Sequence, residues 1–278
     1  MALGYTSAPM SQASASSFVG SIPEFYDRHL GPVIFEPYAR DLAARLPQRA
    51  GLCVLETACG TGIVTRSLLE QLPADGRLIA TDLNEPMVAH ARARMPADPR
   101  LELRQADAQA LPFEDCSLGA VVCQFGVMFF PDKPLAMREA KRVLEPGGVL
   151  MFNVWDGFEA NAFGRVAHET IAGFFAAEPP AIYRTALGWN DARAIRDTVE
   201  GAGFRDVRLE VVGRDVVSES AAHFATGLVK GNPVMPPDGR STVSADAIVD
   251  AIASRLATAW GSSPCRGPTR AIVVSARA

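Results

Sequence analysis

The chain has 278 residues, 48% of them hydrophobic, which is enough for one large domain with a substantial core. Its net charge of −4 argues against a broad nucleic-acid-binding surface, since such surfaces are normally basic. Five cysteines without a C-x-x-C pair show no zinc-site spacing and no disulfide framework, so a reducing, cytoplasmic location is expected.

The first twenty residues contain no lysine or arginine and no long apolar centre, unlike a signal peptide. Residues 1–20 are therefore predicted to be a disordered tail. No run of eighteen apolar residues occurs anywhere, so no membrane span is expected. From Ile22 to Leu46 the apolar residues recur at helical intervals, interrupted by Pro32 and Pro37, which predicts one or two short helices.

Strands and helices alternate regularly from Cys53 to Trp155. The strand candidates are mostly continuous apolar runs, as expected of parallel strands covered on both faces. They are Cys53–Glu56, Leu78–Asp82, Leu101–Gln105, Leu118–Gln124 and Val149–Trp155. The predicted helices between them are Ile63–Leu72, a helix from Asn84 to Met95, and Pro134–Leu144 with Asp132 as its cap and a break at Glu145–Gly148. This alternation predicts an α/β fold with a doubly wound, parallel sheet.

The rhythm changes after Trp155. The pattern there predicts three helices and two strands, with long segments between them that often carry function. The predicted elements are a helix from Phe163 to Phe175, a helix through Ile195 and Val199 capped by Asn190 or Asp191, a strand at Val207–Val212, a helix near Ala245–Leu256 and a last strand at Ala271–Ser275.

The most informative stretch, Val54–Gly62, reads as a buried strand followed by a tight loop of small residues. Glycines at Gly60 and Gly62 let the backbone turn sharply and approach a ligand closely. The helix that follows directs free N–H groups towards the same space, where a ligand carboxylate can bind. At the end of the second strand, the carboxylate of Asp82 can accept two hydrogen bonds from a ribose diol.

Further polar residues follow the next two strands. Asp107 comes after the third strand and could bind the exocyclic amino group of an adenine. Gln124 and Phe125 end the fourth strand and could close over the same ligand. Parallel strands present their carboxyl ends at one edge, so these residues are expected to form one site.

Four stretches of the sequence, taken in chain order, resemble the core of class I S-adenosylmethionine-dependent methyltransferases. The likeness is to the small-molecule branch that includes the ubiquinone and menaquinone C-methyltransferases. One departure is Ala58, where the family often has glycine; alanine costs little there if its φ is negative. The matching stretches are Val54–Gly62, Ala80–Met87, Ala106–Ala108 with Leu111–Phe113, and Leu144–Gly148.

The resemblance implies a seven-stranded sheet whose last strand is antiparallel, with helical cap insertions. Residues 21–278 would form a single methyltransferase domain. Its core would comprise residues 50–155, 190–213 and 268–278, with substrate-covering insertions at 157–188 and 214–267.

The resemblance also implies S-adenosyl-L-methionine as the cofactor. Glu56 would help to hold the methionine amino group, and Asp82 would bind the ribose hydroxyls. The other residues implied to bind the cofactor are Ala58, Gly60, Gly62, Leu83, Met87, Asp107, Ala108, Gln124 and Phe125.

The candidate catalytic residues come from outside these stretches. The four histidines stand in no metal-ligand spacing, so no metal is predicted. His168 and His223 fall in the covering segments and are candidate bases, with a surface or core role as the alternative for each. Tyr26 precedes the core, in a region that in relatives often folds over the site, and is a candidate contact to cofactor or substrate.

The predicted function is transfer of a methyl group from S-adenosylmethionine to an O, N or C nucleophile of a small molecule, mainly by proximity and in-line orientation. No nucleic-acid partner is expected, and a homodimer is kept open. One alternative is a nicotinamide-dependent oxidoreductase, because Gly60, Gly62 and Asp82 loosely fit the dinucleotide fingerprint. Against it, Thr65 occupies the third glycine position, and no tyrosine is followed by a lysine four residues later. The other alternative is a catalytically silent S-adenosylmethionine-binding protein.

Overall fold

A computed structural model describes residues 20–175, 179–236 and 243–278. The predicted tail lies almost wholly outside these residues. The described residues contain seven strands that form one sheet. The strands are β1 (Cys53–Thr57), β2 (Arg77–Asp82), β3 (Leu101–Gln105), β4 (Leu118–Gln124), β5 (Leu144–Trp155), β6 (Arg205–Ser218) and β7 (Cys265–Arg277).

The strand order is β3-β2-β1-β4-β5-β7-β6. The first five strands pair in parallel, while β7 is antiparallel to both of its neighbours, β5 and β6. The predicted doubly wound sheet with an antiparallel last strand is therefore confirmed. The order reverses between β1 and β4, so the loops after these two strands leave in opposite directions and open a crevice between them.

The described helices lie between and beyond these strands. A short 3₁₀ turn at Val127–Phe129 follows β4, and Tyr26–Phe35 forms a π-helical segment. The α-helices are α1 (Ile22–Phe25), α2 (Glu36–Ala43), α3 (Ile63–Gln71), α4 (Glu85–Arg94), α5 (Lys133–Val143), α6 (Ala162–Ala172), α7 (Ile182–Ala186), α8 (Ala192–Gly201), α9 (Ala221–Lys230) and α10 (Ala245–Trp260). None of these described helices has the length and apolar character needed to cross a bilayer.

Two predicted helix caps have the expected hydrogen bonds. The Asp132 carboxylate accepts from the Leu135 N–H at 2.8 Å and begins α5. Asp191, rather than Asn190, begins α8, because its carboxylate accepts from the Arg193 N–H at 2.8 Å and from the next N–H. Both carboxylates satisfy backbone donors that a helix start leaves without an internal partner.

The predicted break at Glu145–Gly148 is wrong. These residues belong to β5, which starts at Leu144 opposite Leu118 and resumes regular pairing at Val149 opposite Ala120. The extra residues form an irregularity, and Gly147 adopts a φ of 80° that a glycine tolerates.

The segment before β1 differs most from its prediction. Pro32 lies inside the π-helical segment Tyr26–Phe35 instead of separating two helices. Proline has no N–H to give, so the regular α-helical ladder cannot continue through it. The segment, termed the cover below, buries Leu30 and Ile34 and packs against α9 and the start of α3. It lies over the carboxyl ends of the strands.

A buried carboxylate holds this cover on the core. Asp27 is 8% exposed, and its Oδ1 accepts from the Thr61 hydroxyl at 3.2 Å. Its Oδ2 lies 3.0 Å from the Nε of Arg94. Since Thr61 lies in the loop after β1, the cover is bonded directly to the predicted cofactor loop.

Candidate functional site

A cavity lies above the carboxyl ends of β1, β2 and β4, at the reversal of strand order. It measures about 1210 Å³, its open mouth included. This volume includes solvent outside the cavity walls, so the lining residues, and not the volume, indicate what the cavity can bind.

Nine of the eleven predicted cofactor-binding residues line this cavity, together with Tyr26. Glu56 and Gly62 do not line it, and neither do the two candidate bases His168 and His223. The nine lining residues are Ala58, Gly60, Asp82, Leu83, Met87, Asp107, Ala108, Gln124 and Phe125.

Asp82 is held in place by backbone donors on both of its oxygens. Its Oδ2 accepts from the Gly60 N–H at 2.9 Å, and its Oδ1 accepts from the Asn84 N–H at 2.8 Å. Burial raises the pKa of this carboxyl, and the backbone N–H groups of Asn84 and Gly60 oppose that rise. A carboxylate has about four acceptor positions. Oδ1 also accepts from the Asn84 side-chain amide at 3.3 Å, so these three bonds leave about one acceptor position for a ligand.

Gly60 leaves open space beside Asp82. Its φ is 56°, and a side chain built on it would meet no atom within 4 Å. The glycine is thus required by backbone conformation and not by packing. The open space beside this carboxylate can accommodate a ligand hydroxyl.

Ala58 has a φ of 53°, so the condition of a negative φ is not met. Alanine is strained in this left-handed region. Its methyl group lies against Gly126, which follows β4. A Cβ built on Gly126 would lie only 2.6 Å from the Cβ of Ala58, which is too close. The absence of a side chain at Gly126 therefore makes room for the alanine.

Phe125 is the second strained residue at the site, with a φ of 50°. Its N–H donates to both oxygens of Asn153, at 3.1 Å to the main chain and 3.0 Å to the side chain. Its ring stacks on Trp155 with centroids 3.9 Å apart. Strained residues of this kind concentrate at binding sites, where the surrounding structure holds them.

The side chain of Gln124 joins the sheet to the cover. Its Nε2 donates to the Phe35 carbonyl at 3.2 Å, and its Oε1 accepts from the Asn153 amide at 3.3 Å. Both ends of this amide are thus bonded within the protein.

Glu56 lies beneath the loop, 1% exposed, and accepts from the Thr65 hydroxyl at 2.7 Å. Burial raises its pKa to about 8, and the nearby Asp82 charge adds to this rise. Gly62 begins α3 with a φ of 85°, and the Met95 side chain covers it. The cofactor roles of both residues remain predictions.

Neither candidate base faces the cavity. The His168 ring stacks on Phe158 with centroids 5.3 Å apart, and burial lowers its pKa. The His223 ring lies 4.2 Å from that of His29, and its Nδ1 is 3.2 Å from the Ser218 hydroxyl. The structure thus offers no support for these two as bases.

Tyr26 does line the cavity, where its ring stacks on Phe35 at 4.6 Å. Burial raises the pKa of its hydroxyl, with smaller contributions from Asp82 and Asp27. A protonated phenol can donate a hydrogen bond but is a poor base. Tyr26 therefore suits contact with a ligand better than proton abstraction.

The individual residues of the other half of the cavity were not predicted from sequence, although substrate-covering segments were expected at 157–188 and 214–267. These residues come from the cover, the end of β5, the 3₁₀ turn, α6, α7 and the ends of α7 and α9, which carry no motif. The only signal was the helical spacing of apolar residues, which predicts core packing equally well. This half, termed the apolar half below, is lined by Leu30, Ile34, Phe35, Met128, Phe129, Trp155, Phe163, Ile182, Tyr183, Leu187, Leu228 and Asn232.

Comparisons with known proteins agree with this geometry. A family model for the methyltransferase domain matches residues 55–152. A demethylmenaquinone methyltransferase of Lactiplantibacillus plantarum is 31% identical over 193 residues, which are 62% of this chain and 77% of the relative. A ubiquinone/menaquinone biosynthesis C-methyltransferase of Hahella chejuensis is 38% identical over 106 residues, 37% of this chain and 43% of the relative.

A solved structure shares the fold. Haemonchus contortus phosphoethanolamine N-methyltransferase 2, in complex with S-adenosyl-L-methionine, superposes with a TM-score of 0.58 at 17% identity. The match covers 92% of this chain and 56% of that one. At this identity the likeness concerns the fold alone.

The chain belongs to the class I S-adenosylmethionine-dependent methyltransferases, and S-adenosyl-L-methionine is its cofactor. Within that class it resembles the demethylmenaquinone and ubiquinone/menaquinone C-methyltransferases. This membership replaces the alternative of a nicotinamide-dependent oxidoreductase.

The strain at Ala58 predicts that Ala58→Gly stabilises the protein. A left-handed alanine costs about 1–2 kcal/mol, and the greater freedom of unfolded glycine offsets about 0.5–1 kcal/mol of this. The free energy of unfolding in urea should rise by about 0.5–1 kcal/mol. Gly126→Ala adds a methyl group that would collide with the Ala58 side chain, so it should destabilise the protein. The loss of stability should be smaller in the double variant with Ala58→Gly, because the colliding methyl group is then absent. A less stable Ala58→Gly variant would contradict the inferred strain.

Asp82→Asn should weaken binding of S-adenosylhomocysteine. Hydrogen bonds to charged groups contribute about 1.5–3 kcal/mol, so the dissociation constant should rise about 10- to 150-fold in calorimetry. Asp191→Asn is the control, because asparagine caps a helix as well as aspartate and this residue does not line the cavity. Equal affinities of a folded Asp82→Asn variant and the control would remove Asp82 from the cofactor site.

Glu56→Gln should change how stability depends on pH. The native carboxyl keeps its proton up to about pH 8, whereas the ordinary value is 4.5. Between these values unfolding releases a proton, so wild-type stability falls with rising pH, by about 1.4 kcal/mol per unit at most. Glutamine cannot ionise, so the variant should gain stability relative to wild type as the pH rises from 4.5 to 8 in urea unfolding. Parallel curves for the two proteins would contradict the raised pKa.

Proposed function

We propose that this methyltransferase methylates a ring carbon of an uncharged, hydroxylated aromatic molecule of the quinol type. The observation that carries the proposal is a single cavity with two chemically different halves. One half has the carboxylates and glycine at the strand ends, and the other is apolar. A donor and an acceptor can therefore lie side by side in it.

The strand-end half suits the donor. We infer that Asp82 binds the ribose hydroxyls, that Leu83 and Met87 border the adenine, and that Asp107 and Ala108 face its edge. The charged side chains among the described lining residues are Asp82 and Asp107, so the cavity favours a cation. S-adenosylmethionine carries its methyl group on a positively charged sulfur, which the negative charges of the two aspartates would attract.

The apolar half suits an uncharged aromatic acceptor. Its described lining residues include no lysine, arginine or histidine that could neutralise a carboxylate or phosphate. An anionic acceptor would also be repelled by the two aspartates. The partly buried ring of Phe129 lines this half, and an aromatic ring can pack against it.

We infer that the methylated atom is a carbon from the names of the relatives. The names of two relatives specify demethylmenaquinone and ubiquinone/menaquinone, and one specifies C-methylation. The covering segments predicted at 157–188 and 214–267 support the proposal, because Phe163, Tyr183 and Leu228 line the apolar half. They would exclude water and hold the ring against the methyl group.

In this mechanism the protein works mainly by alignment. Well-oriented reactants about 3–3.5 Å apart can gain roughly 7–11 kcal/mol from proximity. The sulfur would keep the electron pair of the bond that breaks, and the ring carbon would supply the pair of the bond that forms. The proton displaced from that carbon would leave through the open mouth of the cavity to bulk solvent. Tyr26 keeps its own proton, since the pKa of its hydroxyl is raised, so it borders the reactants without serving as the base.

The proposal predicts the product formed from 1,4-dihydroxynaphthalene and S-adenosylmethionine without oxygen. S-adenosylhomocysteine should be released together with a naphthalenediol that carries one new methyl group on a ring carbon, as seen by mass spectrometry and proton NMR. 1-Naphthoate serves as the charged counterpart and should not be methylated. A methyl ether, or preferred methylation of the naphthoate, would contradict the proposal.

A further inference from the structure

Asn232 lies just beyond the C-terminal end of α9 and lines the apolar half of the cavity. It is half-buried, and it follows Gly231, which ends the helix. A carboxamide in such surroundings is unexpected, because an unpaired polar group among apolar side chains lowers stability. Its hydrogen bonds indicate what it can do.

One N–H of the Asn232 amide is bonded to the protein. Its Nδ2 donates to the Leu228 carbonyl at 3.2 Å, and the Tyr183 hydroxyl donates to the same carbonyl at 2.6 Å. The first bond fixes the position of the amide. A carboxamide has two N–H donors and an oxygen with two lone pairs. No described residue uses the second N–H or the Oδ1 of Asn232 in a hydrogen bond.

Two other polar groups near the apolar half are engaged. Both ends of the Gln124 amide bond to the protein, and the Tyr183 hydroxyl has given its proton to Leu228. Asp82 and Asp107 belong to the strand ends. Asn232 therefore offers both a donor and an acceptor in the half that the methyl acceptor would occupy.

We propose that Asn232 binds the hydroxyl or carbonyl oxygen of the uncharged aromatic acceptor and thereby sets its orientation towards the methyl group. Asn232 is then a specificity-determining residue. The inference rests on the proposed function, since it assigns a contact within the acceptor site. The amide carries no charge, so it selects for an oxygen-bearing ring without attracting anions.

The preference has a physical origin. An acceptor without an oxygen would fill the cavity but leave the Asn232 amide unpaired and removed from water. A ring that carries an oxygen would displace water from the Asn232 amide, but its oxygen would make the hydrogen bond that the water had made. Sites that bond a substrate hydroxyl reject the analogue that lacks it for this reason.

Equilibrium dialysis with 1-naphthol and naphthalene tests this assignment, in the presence of S-adenosylhomocysteine. These probes differ by one hydroxyl group. Wild-type protein should bind 1-naphthol more tightly, by about 2- to 12-fold, the range that a neutral hydrogen bond gives. Asn232→Leu keeps the approximate volume but removes the polar group, so it should lose this preference while retaining affinity for naphthalene.

Two further variants separate recognition from a structural effect. Asn232→Gln keeps a carboxamide with both donor and acceptor and should retain a preference for 1-naphthol. Tyr183→Phe removes the other bond to the Leu228 carbonyl and should also retain it. If Tyr183→Phe lost the preference for 1-naphthol as fully as Asn232→Leu, the preference would depend on the structure at the end of α9 and not on a contact with Asn232. That result would overturn the assignment.

The remaining outcomes distinguish this inference from the proposed function. If wild-type protein binds both probes without preference, or Asn232→Leu keeps the preference, the role of Asn232 is refuted while an aromatic acceptor stands. If S-adenosylhomocysteine binds but neither probe does, the aromatic acceptor itself is refuted, and the role of Asn232 with it. Unchanged affinity of each variant for S-adenosylhomocysteine serves as the test of folding.

Discussion

The site depends on the hydrogen bonds that fix the Asp82 carboxylate between two backbone segments. One oxygen holds the loop after β1 through the Gly60 N–H, and the other holds the start of α4 through the Asn84 N–H. The two strands that carry these segments are neighbours beside the reversal of strand order. Because the carboxylate is already oriented by the protein, it can bind a ligand hydroxyl without a further loss of side-chain freedom. The glycine loop and the carboxylate therefore form one preorganised unit.

The cover over this unit is bonded to it at two points. Asp27 joins the π-helical segment to Thr61 in the loop, and Gln124 at the end of β4 holds the Phe35 carbonyl. A third contact anchors α2, which continues directly from the cover, because the buried Tyr38 hydroxyl lies 3.0 Å from the Thr269 hydroxyl in β7. These bonds give the cover a defined position over the strand ends, so the residues it contributes to the apolar half have a fixed geometry.

The residues at the strand ends could be located from sequence because each of them follows from a local requirement. Gly60 allows a positive φ, and Asp82 ends a strand. Because the two residues follow neighbouring strands of one βαβ unit, they lie at the same edge of the sheet. Ala58 shows the limit of such reasoning, since its φ depends on the space left by Gly126 at another strand end. That complementarity between two loops is tertiary and has no signature within either one.

The residues of the apolar half could not be identified individually, for a different reason. An apolar residue on a helix buries equally well against a core or against a ligand, so Leu228 and Ile182 carry no distinguishing signal. A π-helix has nearly the same pattern of apolar residues as an α-helix, which left the cover around Pro32 undefined. Asn232 is a single polar residue after a helix end, where asparagine is common for local reasons. Only the folded chain shows that it lines the cavity.

Donor and acceptor are assigned here to one cavity above the strand ends, and a crystal structure of the protein with S-adenosylhomocysteine tests that assignment most directly. The ribose hydroxyls are expected on the Asp82 carboxylate, and the sulfur is expected at the border of the apolar half. An adenosyl group bound elsewhere, or a sulfur directed away from the apolar half, would contradict the shared cavity.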